Sequence, residues 1–385
     1  MISCGNGESI MTHNENLKTY TLKEVPHYKV HGRTDFDQYP LPLFWNGSAI
    51  EVNVTGSELW IDIDVDFDCH EPWICCAING AVMSRQMLLP GSYSLCLFRG
   101  MSPEAVKNVQ FVRELQAMSE DDACHILVRG FQTDGHFSPI PDRKFKLEFI
   151  GDSITSGEGT YGAKEDVDWI PMYMGVSRNY AALTAQALNA EARLISQGGW
   201  GALCGWDNNP HHNLPAYYTK ICGLAGGSVN EALGAQKDNP FAEWQPDAII
   251  VNLGTNDCSA FSQPEWSDPE TGETFKQHLN EDGSFRADDL ARFEQAVVDF
   301  LHVLRRCNPS SYIVWTYGML GYNLSLAITN AINTFRSETG DIKTFFLHLP
   351  NTTEETVGSH MHPGFASHIR AAKVLIEYLQ ELLHA

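Results

Sequence analysis

The hydrophobic pattern of this chain changes its period once, near residue 147, and this change limits the possible folds more than any other feature of the sequence. Across residues 20–147 apolar side chains alternate with polar ones, most clearly at residues 50–54 and 59–67. Such alternation is typical of half-buried strands. More strand-like stretches follow with no helical pattern between them, which predicts a β-sandwich of about eight strands.

After residue 147 short apolar runs alternate with stretches of helical spacing. Five runs predict strands, at residues 146–150, 192–195, 248–252, 312–316 and 344–347. Apolar residues spaced for one helix face predict helices at residues 290–304 and 371–382. This order predicts a parallel sheet between two layers of helices, in which ligands bind beyond the carboxyl ends of the strands. The length of 385 residues also favours two domains, a β-sandwich over 1–143 and an α/β domain over 144–385.

Charge and terminal sequence exclude several classes of partner. The chain has 26 Lys and Arg against 48 Asp and Glu, a formal net charge of -22, which would repel nucleic acid and anionic membranes. The first residues contain neither the basic and apolar segments of a signal peptide nor a membrane span, so we expect a cytoplasmic protein.

The ten cysteines are then expected to be reduced and buried, with Cys75 and Cys76 on opposite sides of a strand.

Four sequence blocks that follow predicted strands carry residues suited to acyl transfer. In FIGDSITSGEG, Ser153 stands between a strand and a glycine-rich turn, where its hydroxyl is exposed at the sheet edge. LISQGGWG contains Gly198 and Gly199, whose N–H groups can approach a substrate oxygen closely. VNLGTND supplies the amide of Asn256, and GSHMHPG holds the imidazole of His362 before a proline. Each of the first three blocks alone is also explained by helix capping or turn formation.

In this order the four blocks resemble the SGNH hydrolase superfamily. The HGR of residues 31–33 and the LFWNGSAIEV that begins at residue 43, in a sandwich ahead of the hydrolase, resemble carbohydrate esterase family 2. The resemblance implies a jelly-roll domain followed by a serine esterase domain that removes acetyl groups from mannan or xylan oligosaccharides or polysaccharides. A lipid or thioester acyl hydrolase on the same scaffold and a non-catalytic glycan-binding protein remain as alternatives.

The resemblance also implies a role for each matching residue. Ser153 is the nucleophile and His362 the general base. The N–H groups of Ser153 and Gly199 and the side chain of Asn256 form the oxyanion hole, although the second block also aligns with Gly198 in place of Gly199. The mechanism that this implies needs no cofactor.

The acid that normally completes such a site is absent from its usual place. The superfamily pattern has an aspartate two or three residues before the histidine, where this chain has His360 and Ser359. We therefore expect a Ser–His dyad in which a backbone carbonyl accepts the imidazole N–H, with Glu354 or Glu355 as an alternative acid. His360 and His362 also have the spacing of metal ligands, but no third ligand motif accompanies them, so no metal site is expected.

The segment of residues 200–244 is the candidate for sugar binding. It is long, rich in Gly, Asn and aromatic residues, and placed above a strand end, as functional loops often are. Trp206 and Trp200 are the candidate contacts because aromatic faces stack on pyranose rings, although a tryptophan is more often part of a core. His211 and His212 are expected to be solvated.

Overall fold

The structure is a computed structural model that describes residues 15–384. Cys4 and most of the N-terminal sequence behind the cytoplasmic expectation lie outside this range. Within it the chain forms two antiparallel sheets, then one parallel sheet with its helices, and a small hairpin.

The first two sheets contain eleven strands, several of them short. These are β1 (Lys18–Thr21), β2 (Lys29–His31), β3 (Leu41–Pro42), β4 (Ala49–Val54), β5 (Glu58–Asp66), β6 (Trp73–Ile78), β7 (Ala81–Met87), β8 (Gly91–Arg99), β9 (Lys107–Arg113), β10 (His125–Thr133) and β11 (Phe137–Ser138). One sheet has the order β1-β10-β5-β8 with β3 beside β10, and the other has β11-β4-β9-β6-β7 with β2 beside β4. All their pairings are antiparallel.

The two sheets face each other across one apolar core. Ile50, Val52 and Val54 of β4 alternate into it, as do Ile61 and Ile63 of β5 from the opposite sheet. The predicted β-sandwich is therefore confirmed, with more strands than the expected eight because short edge strands escape the hydrophobic pattern. The finer designation as a jelly roll stays a prediction.

Residues 145–384 of the second half form a five-stranded parallel sheet and seven α-helices. The strands are β12 (Phe145–Gly151), β13 (Ala190–Ser196), β14 (Ala248–Asn252), β17 (Tyr312–Gly318) and β18 (Thr344–Leu349), with a hairpin of β15 (Trp266–Ser267) and β16 (Thr274–Phe275). The helices are α1 (Ser153–Ser156), α2 (Tyr180–Ala187), α3 (Gly227–Ala232), α4 (Thr255–Ala260), α5 (Ala287–Cys307), α6 (Ser325–Thr339) and α7 (Phe365–Leu382). The sheet order is β13-β12-β14-β17-β18, and every pair is parallel.

Alternate residues of the parallel strands face two separate cores. Ile249 and Val251 of β14 point toward the helices α5 and α6, whereas Ala248 and Ile250 point toward α2 and α7. The predicted arrangement of a parallel sheet between helical layers is thus confirmed. The strand ends are aligned, since Gly151 pairs with both Ser196 and Asn252, so the first three sequence blocks reach the same edge.

The segments that carried the resemblance to family 2 esterases lie at the contact between the two halves. Arg33 is 2% exposed and donates to Glu148 at 3.1 Å and to the carbonyls of Tyr218 and Lys220. The indole N–H of Trp45, which is fully buried, donates to the carbonyl of Ile221 at 2.7 Å. Hydrogen bonds to the other guanidinium groups offset part of the cost of burying such an ion pair, and here both carbonyls accept from Nη1 of Arg33, whereas its Nε has no partner among the described residues. The boundary between residues 143 and 144 stays a prediction.

The nine cysteines of residues 15–384 are all unpaired. Cys76 points into the sandwich core, and Cys75 points away from it toward Ser177 of the second half, so both are buried although they face opposite sides of β6. The expectation of burial is wrong for Cys69 and Cys96, which are exposed. No helix in this part of the chain has the length and apolar character needed to cross a membrane.

Candidate active site

Ser153, the predicted nucleophile, is the first residue of α1 at the carboxyl end of β12. Asp152 caps this helix by accepting the N–H of Ile154 at 3.0 Å. A Cβ on Gly151 would lie 2.1 Å from Thr155 Oγ1, so only glycine allows the chain to turn this sharply from strand to helix. Burial raises the pKa of Asp152 to about 7. The strand-to-helix turn therefore presents the hydroxyl of Ser153 at the sheet edge.

His362 contacts Ser153 directly. Its Nε2 lies 2.9 Å from Ser153 Oγ, and its Nδ1 lies 2.7 Å from the carbonyl oxygen of His360. Because a carbonyl can only accept, the proton of the neutral ring belongs on Nδ1, which leaves Nε2 free to accept from the serine hydroxyl. This geometry is the one required of a Ser–His dyad oriented by a backbone carbonyl.

The two glycines of the second block differ in the state of their N–H groups. Gly198 donates to the side chain of Gln116, in the sandwich half, at 2.8 Å. The N–H of Gly199 has no hydrogen-bond partner among residues 15–384, and Gly199 has a positive φ of 78°. Asn256 donates to the carbonyl of Trp200 at 2.9 Å and lies at the same sheet edge. The donor that remains for a substrate oxygen is thus Gly199.

Asp257 holds the second block in place, a function that sequence reasoning missed. Its buried carboxylate accepts the N–H groups of Ala202, Leu203 and Cys204 at 2.9, 2.7 and 3.2 Å. Burial raises the pKa of Asp257, and these three hydrogen bonds act against that rise. The only signal in the sequence was its position directly after Asn256.

A carboxylate does lie beside the base, but it is not one of those considered from the sequence. Glu158 Oε1 accepts from His360 Nδ1 at 2.6 Å and is 3.5 Å from His362 Nδ1. Glu354 is 91% exposed at its side chain and pairs with Lys164, and Glu355 is exposed too. Glu158 comes from the glycine-rich turn after Ser153, so the signal was the last acidic residue of GDSITSGEG.

The carboxylate of Glu158 adds a third potential metal ligand beside the two histidines. Glu158, His360 and His362 place three potential ligand atoms within 4.8 Å of one another, although the sequence offered no third ligand. Each of these groups is already engaged in the hydrogen bonds described above. The hydrogen bond from Glu158 raises the pKa of His360. The cluster is organised to hold protons, and the absence of a metal site stays a prediction.

The two candidate sugar contacts have different surroundings. Trp206 is 50% exposed and lies over Gly199, where an added Cβ would be 3.2 Å from the indole ring. Trp200 is 5% exposed and stacks on His212 with ring centroids 5.1 Å apart. Trp200 is thus part of the core, which leaves little of its ring for a sugar, and its role as a sugar contact stays a prediction. The same stacking leaves His212 half-buried, whereas His211 is exposed as expected.

Comparison with known proteins identifies relatives in sequence and in fold. The model of the GDSL-like Lipase/Acylhydrolase family matches residues 147–375, more than half of the chain. A solved structure of an acetyl xylan esterase from the rumen bacterium Butyrivibrio proteoclasticus is 53% identical, with a TM-score of 0.94 over 95% of this chain and 99% of that one.

Two more distant proteins are also similar to this chain over both of its halves. The cellulase/esterase CelE of Acetivibrio thermocellus is 25% identical over 94% of this chain, which spans 40% of that longer protein. A family two carbohydrate esterase from Clostridium thermocellum, solved with cellohexaose, shares the fold with a TM-score of 0.76 at 23% identity, over 93% of this chain and 99% of that one. The chain therefore belongs to the GDSL-like lipase/acylhydrolase family, the SGNH hydrolases, and has the two-domain architecture of the family 2 carbohydrate esterases.

Proposed function

We propose that this protein is a carbohydrate O-acetyl esterase that removes acetyl groups from xylan or mannan oligosaccharides. The observation that carries the proposal is the 2.9 Å contact between His362 Nε2 and Ser153 Oγ, at a sheet edge where Gly199 and Asn256 supply hydrogen-bond donors. The 53% identity to a protein described as an acetyl xylan esterase supports the choice of substrate class.

The reaction proceeds through an acyl-enzyme. Ser153 Oγ attacks the ester carbonyl while His362 Nε2 takes its proton, and the oxyanion accepts hydrogen bonds from the N–H groups of Ser153 and Gly199 and the amide of Asn256. When the tetrahedral intermediate collapses, the sugar hydroxyl leaves with the proton from His362. Water then gives a proton to His362, attacks the acetyl-serine and releases acetate, and Ser153 regains its hydrogen.

Trp206 is the residue that we propose for sugar recognition. Its ring is half exposed beside the glycine that faces the ester, so a pyranose can stack on it while its acetyl group enters the oxyanion hole. A formal charge of -22 also suits a neutral carbohydrate better than an anionic lipid surface.

The deciding experiment measures acid release from acetylated xylo- and manno-oligosaccharides and, in parallel, from an octanoyl ester. We expect acetate from the sugars and little octanoate, and Ser153→Ala should lower the rate by roughly 10⁴-fold or more without changing the thermal unfolding midpoint. Faster release of octanoate would favour a lipid acyl hydrolase. Sugar binding with no release of either acid would identify a non-catalytic binding protein.

A further inference from the structure

Glu158 connects the two segments that carry the reacting groups of the proposed mechanism. Its backbone N–H donates to the carbonyl of Ser153 at 3.0 Å, and its side chain accepts from His360 Nδ1 at 2.6 Å. The side chain is 5% exposed, so this charge-assisted hydrogen bond is shielded from water. One residue therefore sets the distance between the nucleophile segment and the segment of the base.

The segment before the base has an unusual backbone conformation. His360 and Met361 have positive φ values of 50° and 54°, a region that non-glycine residues rarely occupy unless neighbouring groups hold them there. Besides Glu158, the hydroxyl of Ser359 donates to the carbonyl of Tyr161 at 2.9 Å, and the N–H of His360 donates to the carbonyl of Asp166 at 2.6 Å. The glycine-rich turn and the residues that follow it thus maintain this conformation.

This conformation directs the His360 carbonyl at His362. The carbonyl oxygen lies 2.7 Å from His362 Nδ1, and the two imidazole rings are parallel with centroids 5.3 Å apart. Glu158 Oε1 itself is 3.5 Å from His362 Nδ1, which is too long for a hydrogen bond. The hydrogen-bonded connection from Glu158 to His362 therefore runs through His360.

We propose that Glu158 is a positioning residue for the base His362 and acts by anchoring the ring of His360, an inference that rests on the proposed function. In this arrangement a glutamate from the turn after the nucleophile takes the place of an aspartate before the histidine. The carboxylate keeps the His360 carbonyl on His362 Nδ1, and the carbonyl keeps His362 Nε2 on Ser153.

Steady-state kinetics of acetate release by the full chain test this inference. Glu158→Ala and His360→Ala should each lower kcat by roughly 10- to 100-fold, the usual result when a base is displaced by about 1 Å. KM should change little, because neither residue is placed against the sugar. The double variant should lose no more than the worse single variant, because the two residues act as one unit. Glu354→Gln, which changes an exposed carboxylate four residues before Gly358, is the control and should keep full activity.

Conservative variants separate positioning from general damage to the fold. In Glu158→Gln an amide oxygen still accepts from His360, and in His360→Asn a side-chain N–H remains on a residue that tolerates positive φ. Both should keep kcat within several-fold of the wild type, and their alanine counterparts should not. The inference would be overturned if Glu158→Ala had the kcat of the wild type, or if the losses in kcat of the two single variants multiplied in the double variant. It would also be overturned if Glu158→Gln and His360→Asn were as inactive as the alanine variants.

The Ser153→Ala variant distinguishes a failure of this inference from a failure of the proposed function. If that variant still releases acetate, the proposed function fails whatever the Glu158 variants do. If acetate release depends on Ser153 and Glu158→Ala has normal kcat, only the role of Glu158 fails.

Discussion

Asn256 has two tasks within one side chain. It is 8% exposed, and its Nδ2 donates to the Trp200 carbonyl at 2.9 Å and lies 3.4 Å from Asp152 Oδ2. The first contact fixes the glycine block beside it. The other N–H makes only the long 3.4 Å hydrogen bond to Asp152, and it is the proposed donor to the oxyanion once a substrate oxygen replaces that acceptor. Both tasks need the amide nitrogen, so neither an acid nor a shorter side chain can replace it.

We expect Asn256→Asp to lower kcat by on the order of 100-fold with a much smaller change in KM, because a donor to the oxyanion acts mainly in the transition state. Acetate release at several substrate concentrations measures both constants. Asn330→Asp, at an exposed position where the side chain donates to Glu294, is the matched control. Equal kcat in wild type and Asn256→Asp would remove Asn256 from the oxyanion hole.

The residues that we propose to react left a clearer pattern in the sequence than the residues that hold them in place. Ser153, Asn256 and His362 stand beside strands or a terminal helix, and such positions leave a local pattern. Glu158 meets His360, 202 residues away, and Asp257 meets Ala202, 55 residues away. Nothing in the sequence around either acid reveals a partner so distant, because burial and pairing depend on the packed fold.

The glycine-rich turn of residues 157–162 is the element on which the position of the base depends. Gly159 has φ of 82°, and a Cβ there would lie 2.7 Å from His362 Cβ. A Cβ on Gly358 would lie 1.9 Å from the carbonyl oxygen of Gly159. The two segments approach closely only because both positions lack side chains.

Gly159→Ala should therefore lower kcat by roughly 100-fold, because the methyl group must push His362 away from Ser153. Gly272→Ala is the matched control, since Gly272 has φ of 75° and no atom within 4 Å of the added carbon. Both variants should lose about 1–2 kcal/mol of stability to the left-handed conformation, Gly159→Ala should lose more because of its clash with His362, and only Gly159→Ala should lose activity. Thermal unfolding and acetate release separate the two effects, and equal activity of both variants would contradict this account.

Elements with a clear apolar face were predictable, and elements without one were not. The alternation in β4 and β5 and the apolar stripe of α5 each follow from a core on one side. In contrast, β7 is the edge strand of its sheet, next to β6, and is mostly exposed along its length. Its sequence lacks a buried face, so hydrophobic periodicity had nothing to detect.

At the scale of the whole molecule, the outer face of one sandwich sheet and the second domain enclose a cleft of about 600 Å³. Glu51 lies at this cleft with a fully buried side chain that meets His31, Arg143 and Asn108 at 2.6, 2.7 and 2.6 Å. Burial alone would raise the pKa of Glu51, but the hydrogen bond and charge of His31, together with Asn108 and Arg143, lower it to about 2.

A folded-state pKa below the ordinary 4.5 means that Glu51 stabilises the protein fully above pH 4.5 and loses this effect as the pH falls toward 2. Glu51→Gln should lower stability at pH 7 by roughly 2 kcal/mol, the scale of a hydrogen bond to a charged group. The midpoint of thermal unfolding, measured between pH 2 and 7, should then fall less toward acid pH in the variant than in the wild type. If the midpoints of the two proteins fell equally with pH, Glu51 would not be the cause of the loss of stability in acid.

The hydrogen bond from Gly198 to Gln116 has a consequence for attempts to recombine such proteins. Gln116 belongs to a sandwich loop, where its own carbonyl accepts from the buried Arg113 at 3.0 Å, and its side chain holds the glycine next to the proposed oxyanion donor. A hydrolase domain grafted onto a foreign sandwich, or produced alone, would lose that support at the centre of its chemistry. The N-terminal half therefore contributes directly to the structure of the proposed active site, and we expect that replacing it with an unrelated sandwich domain would disturb that site.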